Sequence, residues 1–306
     1  MKALVISGGG SKGAFAGGVA EYLIKEQKRE YDLYLGTSTG SLLLPHLASG
    51  QIEKVYHNYT TVTQRKIFSN NPFIVRRRKG KEYVAINHFN VLWQIIKGKR
   101  TFGESKSLRK SIKRGFTLED FEKIAQLEKE VVVTVSNLTR NKVEYMSTKD
   151  CSYSDFCDWI WISCNYIPFM SIACKNGCEY ADGGFGSVVP IREAIRRGAT
   201  EVDAVILETE NVERNNILGR NPFSLMVNLF SYLLDQVEYH NIMIGKLAAQ
   251  NKNVKLNLFY TPVSLTKNSL IFNKHEMVKW WAEGYQYAGQ KIRKDAEQRK
   301  KTKDIA

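Results

Sequence analysis

A serine framed by glycines, Gly36-Thr37-Ser38-Thr39-Gly40, is where residue type and spacing in this 306-residue chain point to chemistry. G-x-S-x-G between an apolar strand and an apolar helix is the pattern of a nucleophile elbow. The flanking glycines let the chain turn tightly, and the hydroxyl of Ser38 is left at a helix N-terminus, where the dipole favours developing negative charge. A Gly/Ser/Thr stretch is also often only a turn, so the reading depends on finding the rest of a site.

Acyl transfer needs donors for an oxyanion. Gly8-Gly9-Gly10-Ser11-Lys12-Gly13 supplies them, because successive glycines expose backbone N–H groups that can converge on one oxygen; Gly8, Gly9, Gly10 and Gly13 are the candidates. The same residues satisfy G-x-G-x-x-G after a first strand, which leaves a dinucleotide site as an alternative. That site wants an acid at the end of the second strand, whereas this strand ends Leu35-Gly36 and carries Asp32 at its start.

A serine nucleophile also needs a base. The five histidines, His46, His57, His88, His240 and His275, lie outside turns with small neighbours and read more simply as surface or packed residues. Tyr180-Ala181-Asp182-Gly183-Gly184 puts a carboxylate in a glycine turn, with Gly183 and Gly184, like Gly36 and Gly40, as supporting turn residues. Asp-Gly alone is ordinary turn chemistry. A triad of Ser38, an aspartate such as Asp182 or Asp235, and His275 in that chain order stays open.

These motifs need elements to hold them. Ala3–Ile6 reads as a buried strand entering the first glycine turn, and helical spacing follows over Ala14–Lys25. Tyr31–Leu35 repeats the arrangement into the helix Ser41–Ala48. Val131–Val135 is a β-branched strand that Lys142–Ser147 can pair with; Val202–Leu207 is another, preceded by a helix over Ile191–Arg197 with Gly198 at its end. Pro222–Gln250 reads as a long amphipathic helix, 254–260 as a late strand, and Asn273 with Glu276 as the capping box of a C-terminal helix. Alternating strands and helices predict an α/β fold with a mainly parallel sheet covered on both faces.

The apolar fraction of 43% is ample for a packed core. No apolar run reaches the roughly 18 residues of a membrane span, and the N-terminus is too short in apolar residues for a signal peptide. Five unevenly spaced cysteines, Cys151, Cys157, Cys164, Cys174 and Cys178, read as reduced thiols, which predicts a cytoplasmic protein; Cys174 and Cys178 lack a nearby histidine, so no metal is expected. The net charge of +14 is concentrated: between Arg65 and Arg114 fifteen lysines and arginines face two glutamates. Such a segment attracts polyanions.

Taken in order, the oxyanion glycines, G-x-S-x-G and D-G-G resemble the bacterial-type patatin-like phospholipase family. The likeness extends to Ser163–Ser171 with Ile167-Pro168, to Asp182–Leu207 almost throughout, and to the late helix at Gly284-Tyr285; it leaves out about 60–125 and 211–250. Lys12 stands where many members have arginine, which keeps the charge and loses the planar fork of donors. The resemblance implies a three-layer α/β/α fold and a Ser38–Asp182 dyad without catalytic histidine, metal or cofactor, acting on phospholipids and related esters. One acyl-hydrolase domain is expected over 1–290, with a basic insertion or lid at about 65–115, where periodicity is weak and aromatics are scattered, and a charged tail at 291–306 that frays. The basic segment, with Arg76, Arg77 and Arg78 and with Lys12 as candidate anion-binding residues, is then expected to hold the protein peripherally on anionic membranes. Nucleic-acid binding is not expected, since no base-reading motif accompanies the charge. A catalytically silent lipid-binding scaffold is the remaining alternative.

Overall fold

A computed structural model describes residues 1–78, 81–210 and 222–305. β1 (Lys2–Ile6) runs through the glycine turn into α1 (Gly13–Lys25), and β2 (Leu33–Thr37) turns at Ser38 into α2 (Thr39–Ala48). Next come α3 (Ile52–Thr60), α4 (Gln64–Ile67), the strands β3 (Phe73–Arg78) and β4 (Lys81–Ile86), α5 (His88–Ile96), α6 (Lys106–Gly115) and α7 (Leu118–Gln126). β5 (Glu130–Asn137), β6 (Lys142–Ser147), α8 (Tyr153–Ser163), β7 (Ala173–Lys175) and β8 (Cys178–Asp182) follow. The chain closes with α9 (Ile191–Arg196), β9 (Glu201–Ile206), α10 (Pro222–Asn251), β10 (Lys255–Tyr260) and α11 (Lys274–Ile305).

The main sheet has the order β10-β9-β1-β2-β5-β8-β7, with β6 also on β5. The run from β10 to β5 is parallel, while β6, β7 and β8 are antiparallel to their neighbours. Parallel strands must be covered on both faces, and they are. One face packs Phe15, Leu43, Phe156 and Trp281 from α1, α2, α8 and α11. The other packs Ile191, Ile195 and Ala249 from α9 and α10. The α/β expectation holds, with helices on both sides of a mainly parallel sheet.

One register explains the site. β6 occupies one edge of β5 from Val132 to Asn137. On the other edge β2 pairs up to Thr37 opposite Thr134, and β8, running the opposite way, ends with Asp182 opposite Val135. Two strands thus meet head-on at consecutive residues of β5, and their C-terminal ends carry Ser38 and Asp182.

The basic segment is less detached than an insertion or lid would be. Phe68 and, on α6, Leu108 and Ile112 are buried in the core against α8, and the β3–β4 hairpin stands as its own two-stranded sheet. The tail expected to fray instead continues α11 to Ile305. This helix lies on α1 at backbone contact: a Cβ on Gly284 would sit 2.1 Å from the carbonyl oxygen of Phe15. Replacing Gly284 by alanine is therefore expected to lower stability by about 1–3 kcal/mol through overpacking. Denaturant unfolding that leaves the midpoint unchanged would refute this contact.

Candidate active site

The elbow is strained as the sequence implies. Ser38 adopts φ 52° and ψ −113°, a left-handed backbone that a side chain rarely takes. Close packing leaves the chain no wider path: a Cβ on Gly36 would lie 2.4 Å from the carbonyl carbon of Gly40, and one on Gly40 would lie 2.2 Å from the carbonyl oxygen of Ile6. Side chains from α8 and α2 then fix the turn. The N–H of Ser38 donates to Oγ of Ser163 at 2.9 Å, Ser163 shares a hydrogen bond with Ser41 at 2.8 Å, and Ser41 donates to the carbonyl of Gly36 at 3.0 Å. Cys164 Sγ donates to the carbonyl oxygen of Ser38 at 3.2 Å.

The first glycine turn is held beside this corner. Gly10 has φ +54° and carries a carbonyl that accepts from Thr39 Oγ1 at 2.8 Å and from the Tyr59 hydroxyl at 2.5 Å. Not every glycine N–H is free to serve an oxyanion. The N–H of Gly8 donates to the carbonyl of Val188 at 3.2 Å, and that of Gly13 is taken up by Gly10 and Ser11 carbonyls at the start of α1. The N–H groups of Gly9 and Gly10 have no acceptor among the described residues. Gly8 itself abuts Ser38, since a Cβ there would lie 3.4 Å from the serine Cβ.

Asp182 is 3% exposed and lines the same cavity as Ser38. Its Oδ1 accepts from the N–H of Gly184 at 2.8 Å, and its own N–H donates to the carbonyl of Asn165 at 2.9 Å. Gly183 presses on the backbone of β5, where a Cβ would meet the Thr134 oxygen at 2.3 Å. Burial pushes the Asp182 carboxyl up to about 7; the Gly184 N–H and the Ser38 hydroxyl pull it part of the way back. The result is a carboxylate whose basicity matches neutral pH.

A cavity of about 350 Å³ opens over Ser38 and Asp182. Its apolar wall includes Leu42, Ile67, Leu108, Tyr166, Phe169 and Met170, and Phe169 stacks on Tyr166 with ring centroids 6.1 Å apart. No histidine lines it among the described residues. His46 is buried elsewhere against Phe116, and burial pulls its imidazole down to about 4. His275, the third member of the alternative triad, is exposed and lies 3.6 Å from Glu276. No group of three metal-ligating side chains occurs among the described residues.

The candidate anion-binding residues divide. Lys12 lines the cavity, but its ammonium is paired with Glu208. Arg76 is exposed on β3, and the side chains of Arg77 and Arg78 lie outside the described residues. Ser163, Cys164 and Asn165, which clamp the elbow and Asp182, carry no catalytic signal of their own in the sequence; the pointer to them is the family likeness of Ser163–Ser171.

The sequence model of the patatin-like phospholipase family matches residues 4–195, which contain the elbow, the glycine turn and Asp182. An uncharacterized Escherichia coli protein, YjjU, is 26% identical over 213 residues, 64% of this chain and 49% of its own length, so the chain spans about half of that relative. Among solved structures, VipD from Legionella pneumophila superposes with a TM-score of 0.52 at 14% identity, covering 94% of this chain and 66% of VipD, a likeness of fold. With the family model spanning well over half of the sequence, Ser38, the glycine turn and Asp182 included, the chain belongs to the patatin-like phospholipase family.

Proposed function

We propose that the protein is a serine acyl hydrolase that cleaves fatty-acyl esters of phospholipids and related lipids by a Ser38–Asp182 dyad. The observation that carries this reading is a strained Ser38 and a buried aspartate of raised pKa that line one cavity with an apolar wall. In the mechanism, Oγ of Ser38 attacks the ester carbonyl while Asp182 takes the hydroxyl proton. The N–H groups of Gly9 and Gly10 hold the oxyanion. Collapse of the tetrahedral intermediate passes that proton from Asp182 to the leaving alcohol, and the acyl group stays on Ser38. Water then attacks the acyl-enzyme, Asp182 accepts its proton, and return of that proton to Ser38 releases the fatty acid.

Action at an anionic membrane surface is part of the proposal. α5 supports it, because Phe89, Leu92, Trp93, Ile95 and Ile96 are exposed on one short helix inside the basic segment, with Lys97 over the Trp93 ring at 5.0 Å. An exposed apolar helix ringed by cations suits an interface. Part of the charge is committed elsewhere: Arg109 pairs with Asp158 at 2.7 Å, Arg100 with Glu179, and Lys99 with Glu104 at 3.3 Å. Lys110 and Arg114 on α6 have no ion-pair partner among the described residues.

Fatty-acid release from mixed anionic and zwitterionic vesicles, with chelator present, tests the reading. Wild type and the double variant His240→Ala/His275→Ala are expected to be active, and Ser38→Ala and Asp182→Ala to lose on the order of 10³-fold or more. Activity should climb with pH to a plateau, half-complete near 7, where Asp182 ionises. Activity that survives Ser38→Ala, or that vanishes with the histidines, contradicts the dyad.

The same raised pKa sets a stability cost. Between the unfolded value of 3.8 and the folded value of about 7, the native state binds more protons than the unfolded chain, so stability falls as pH rises through this window and the loss is complete above it. Asp182→Asn should therefore be more stable than wild type at pH 8, by on the order of 2–4 kcal/mol, and the gain should shrink toward pH 4. Equal midpoints at both pH values in urea titrations would show that Asp182 is not held against its solvation.

A further inference from the structure

The cavity has a second polar end that the dyad does not use. Glu238, on the inner face of α10, is 8% exposed, and its Oε1 has no hydrogen-bond partner among the described residues. Glu238 lines the same cavity as Ser38, together with Glu208, Asp235, Lys12 and, on the exposed rim, Lys267. The groups that face Glu238 electrostatically are Glu208 just beyond β9, Asp235 one turn earlier on α10, Lys12 from the glycine turn, and Tyr260 at the end of β10. Lys12, the inner cation, is already paired with Glu208. Burial, and then the neighbouring Glu208, push the Glu238 carboxyl up to about 8, with Asp235 adding to the rise and Lys12 opposing it. Among the described residues no cation pairs with Glu238, since Lys12 is held by Glu208 and Lys267 lies on the rim.

It also adjoins the reacting centre. Glu208 follows Leu207, whose side chain packs so tightly on the glycine turn that a Cβ on Gly9 would lie 2.6 Å from its Cδ1, and the Lys12 N–H donates to the Gly9 carbonyl at 3.1 Å. Glu208, Lys12 and Glu238 thus line one continuous cavity with Ser38 and Asp182, beside the glycine turn proposed to hold the oxyanion.

We infer that this end is a subsite for a primary ammonium, the head group of a phosphoethanolamine lipid, with Glu238 as its carboxylate. A cation compensates an ionised Glu238 where a neutral polyol would not, and an N–H donor satisfies the unpartnered Oε1 where a quaternary ammonium would not. Bound ammonium favours ionised Glu238, so binding near pH 7 releases a proton. The acyl-hydrolase reading supplies the place of the ester in this account, but binding is measured without it.

The test uses the full chain carrying Ser38→Ala and non-hydrolysable diether lipids in neutral detergent micelles at equal mole fraction, read by calorimetry. Diether phosphatidylethanolamine is expected to bind about tenfold more tightly than the phosphatidylcholine and phosphatidylglycerol counterparts, the scale of a hydrogen bond to a charged group. Its heat should vary with the ionisation enthalpy of the buffer. Adding Glu238→Gln should bring the three lipids within about twofold and abolish the buffer dependence. Should that variant fail to fold by circular dichroism, Glu208→Gln, which frees the Lys12 ammonium, should erode the same preference. Equal affinities in the parent, no binding of any lipid, or a preference that survives Glu238→Gln overturns the subsite. Absence of fatty-acid release by wild type in the vesicle assay counts instead against the hydrolase reading and leaves this comparison intact.

Discussion

Everything at the candidate site depends on how two strand ends share one edge of β5. β2 arrives parallel and stops at Thr37 opposite Thr134; β8 arrives antiparallel and stops at Asp182 opposite Val135. Because both edges of β5 are filled, by β6 on one side and by this pair on the other, neither strand can slide by a residue without losing its ladder. The nucleophile and its proposed base are thus positioned by sheet register, the stiffest coordinate system a fold offers. The glycines next to each group follow from the same crowding, since Gly183 rests on the Thr134 oxygen and Gly40 on the Ile6 oxygen.

Burial then does the electrostatic work. A carboxyl in water is too weak a base to activate a serine at neutral pH, and a charge placed in the interior without compensation would neutralise itself. Asp182 sits between these limits: nearly closed to solvent, it accepts from the Gly184 N–H, and the nearby Ser38 hydroxyl offsets part of the cost of its charge. The proposed dyad calls for no histidine relay, and among the described residues no histidine lines the cavity. The cost is paid in stability, a trade common where activity needs a strained or desolvated group.

Much of this was legible in the sequence because the signals are local. Strand, glycine turn and apolar helix are read from a dozen adjacent residues, and Ser38, Gly9, Gly10 and Asp182 fall where those patterns put them. The helix read over Pro222–Gln250 is legible through its periodicity alone, and α10 ends one residue later. What escaped is non-local. β7 is three residues long, too short for a period, so β8 was not seen as a strand and Asp182 read as part of a turn. Ser163 and Cys164 act by reaching across the fold to the elbow, and the family likeness of their segment does not reveal those contacts. That the N–H groups of Gly8 and Gly13 are already engaged depends on Val188 and on the pitch of a short 3-10 turn, neither of which a run of glycines reveals. The basic segment read as an insertion because its charge masks the few apolar residues, Leu108 and Ile112 among them, that tie α6 into the core.

The central claim is that Asp182 makes Ser38 nucleophilic, and the most direct measurement is covalent labelling with a fluorophosphonate followed by intact-protein and peptide mass spectrometry. The account predicts one adduct, on Ser38, forming at a rate that rises with pH to a plateau with its midpoint near 7, and slowed at least about a hundredfold in Asp182→Asn. An unlabelled wild type, or labelling of Asp182→Asn at the wild-type rate, would contradict it.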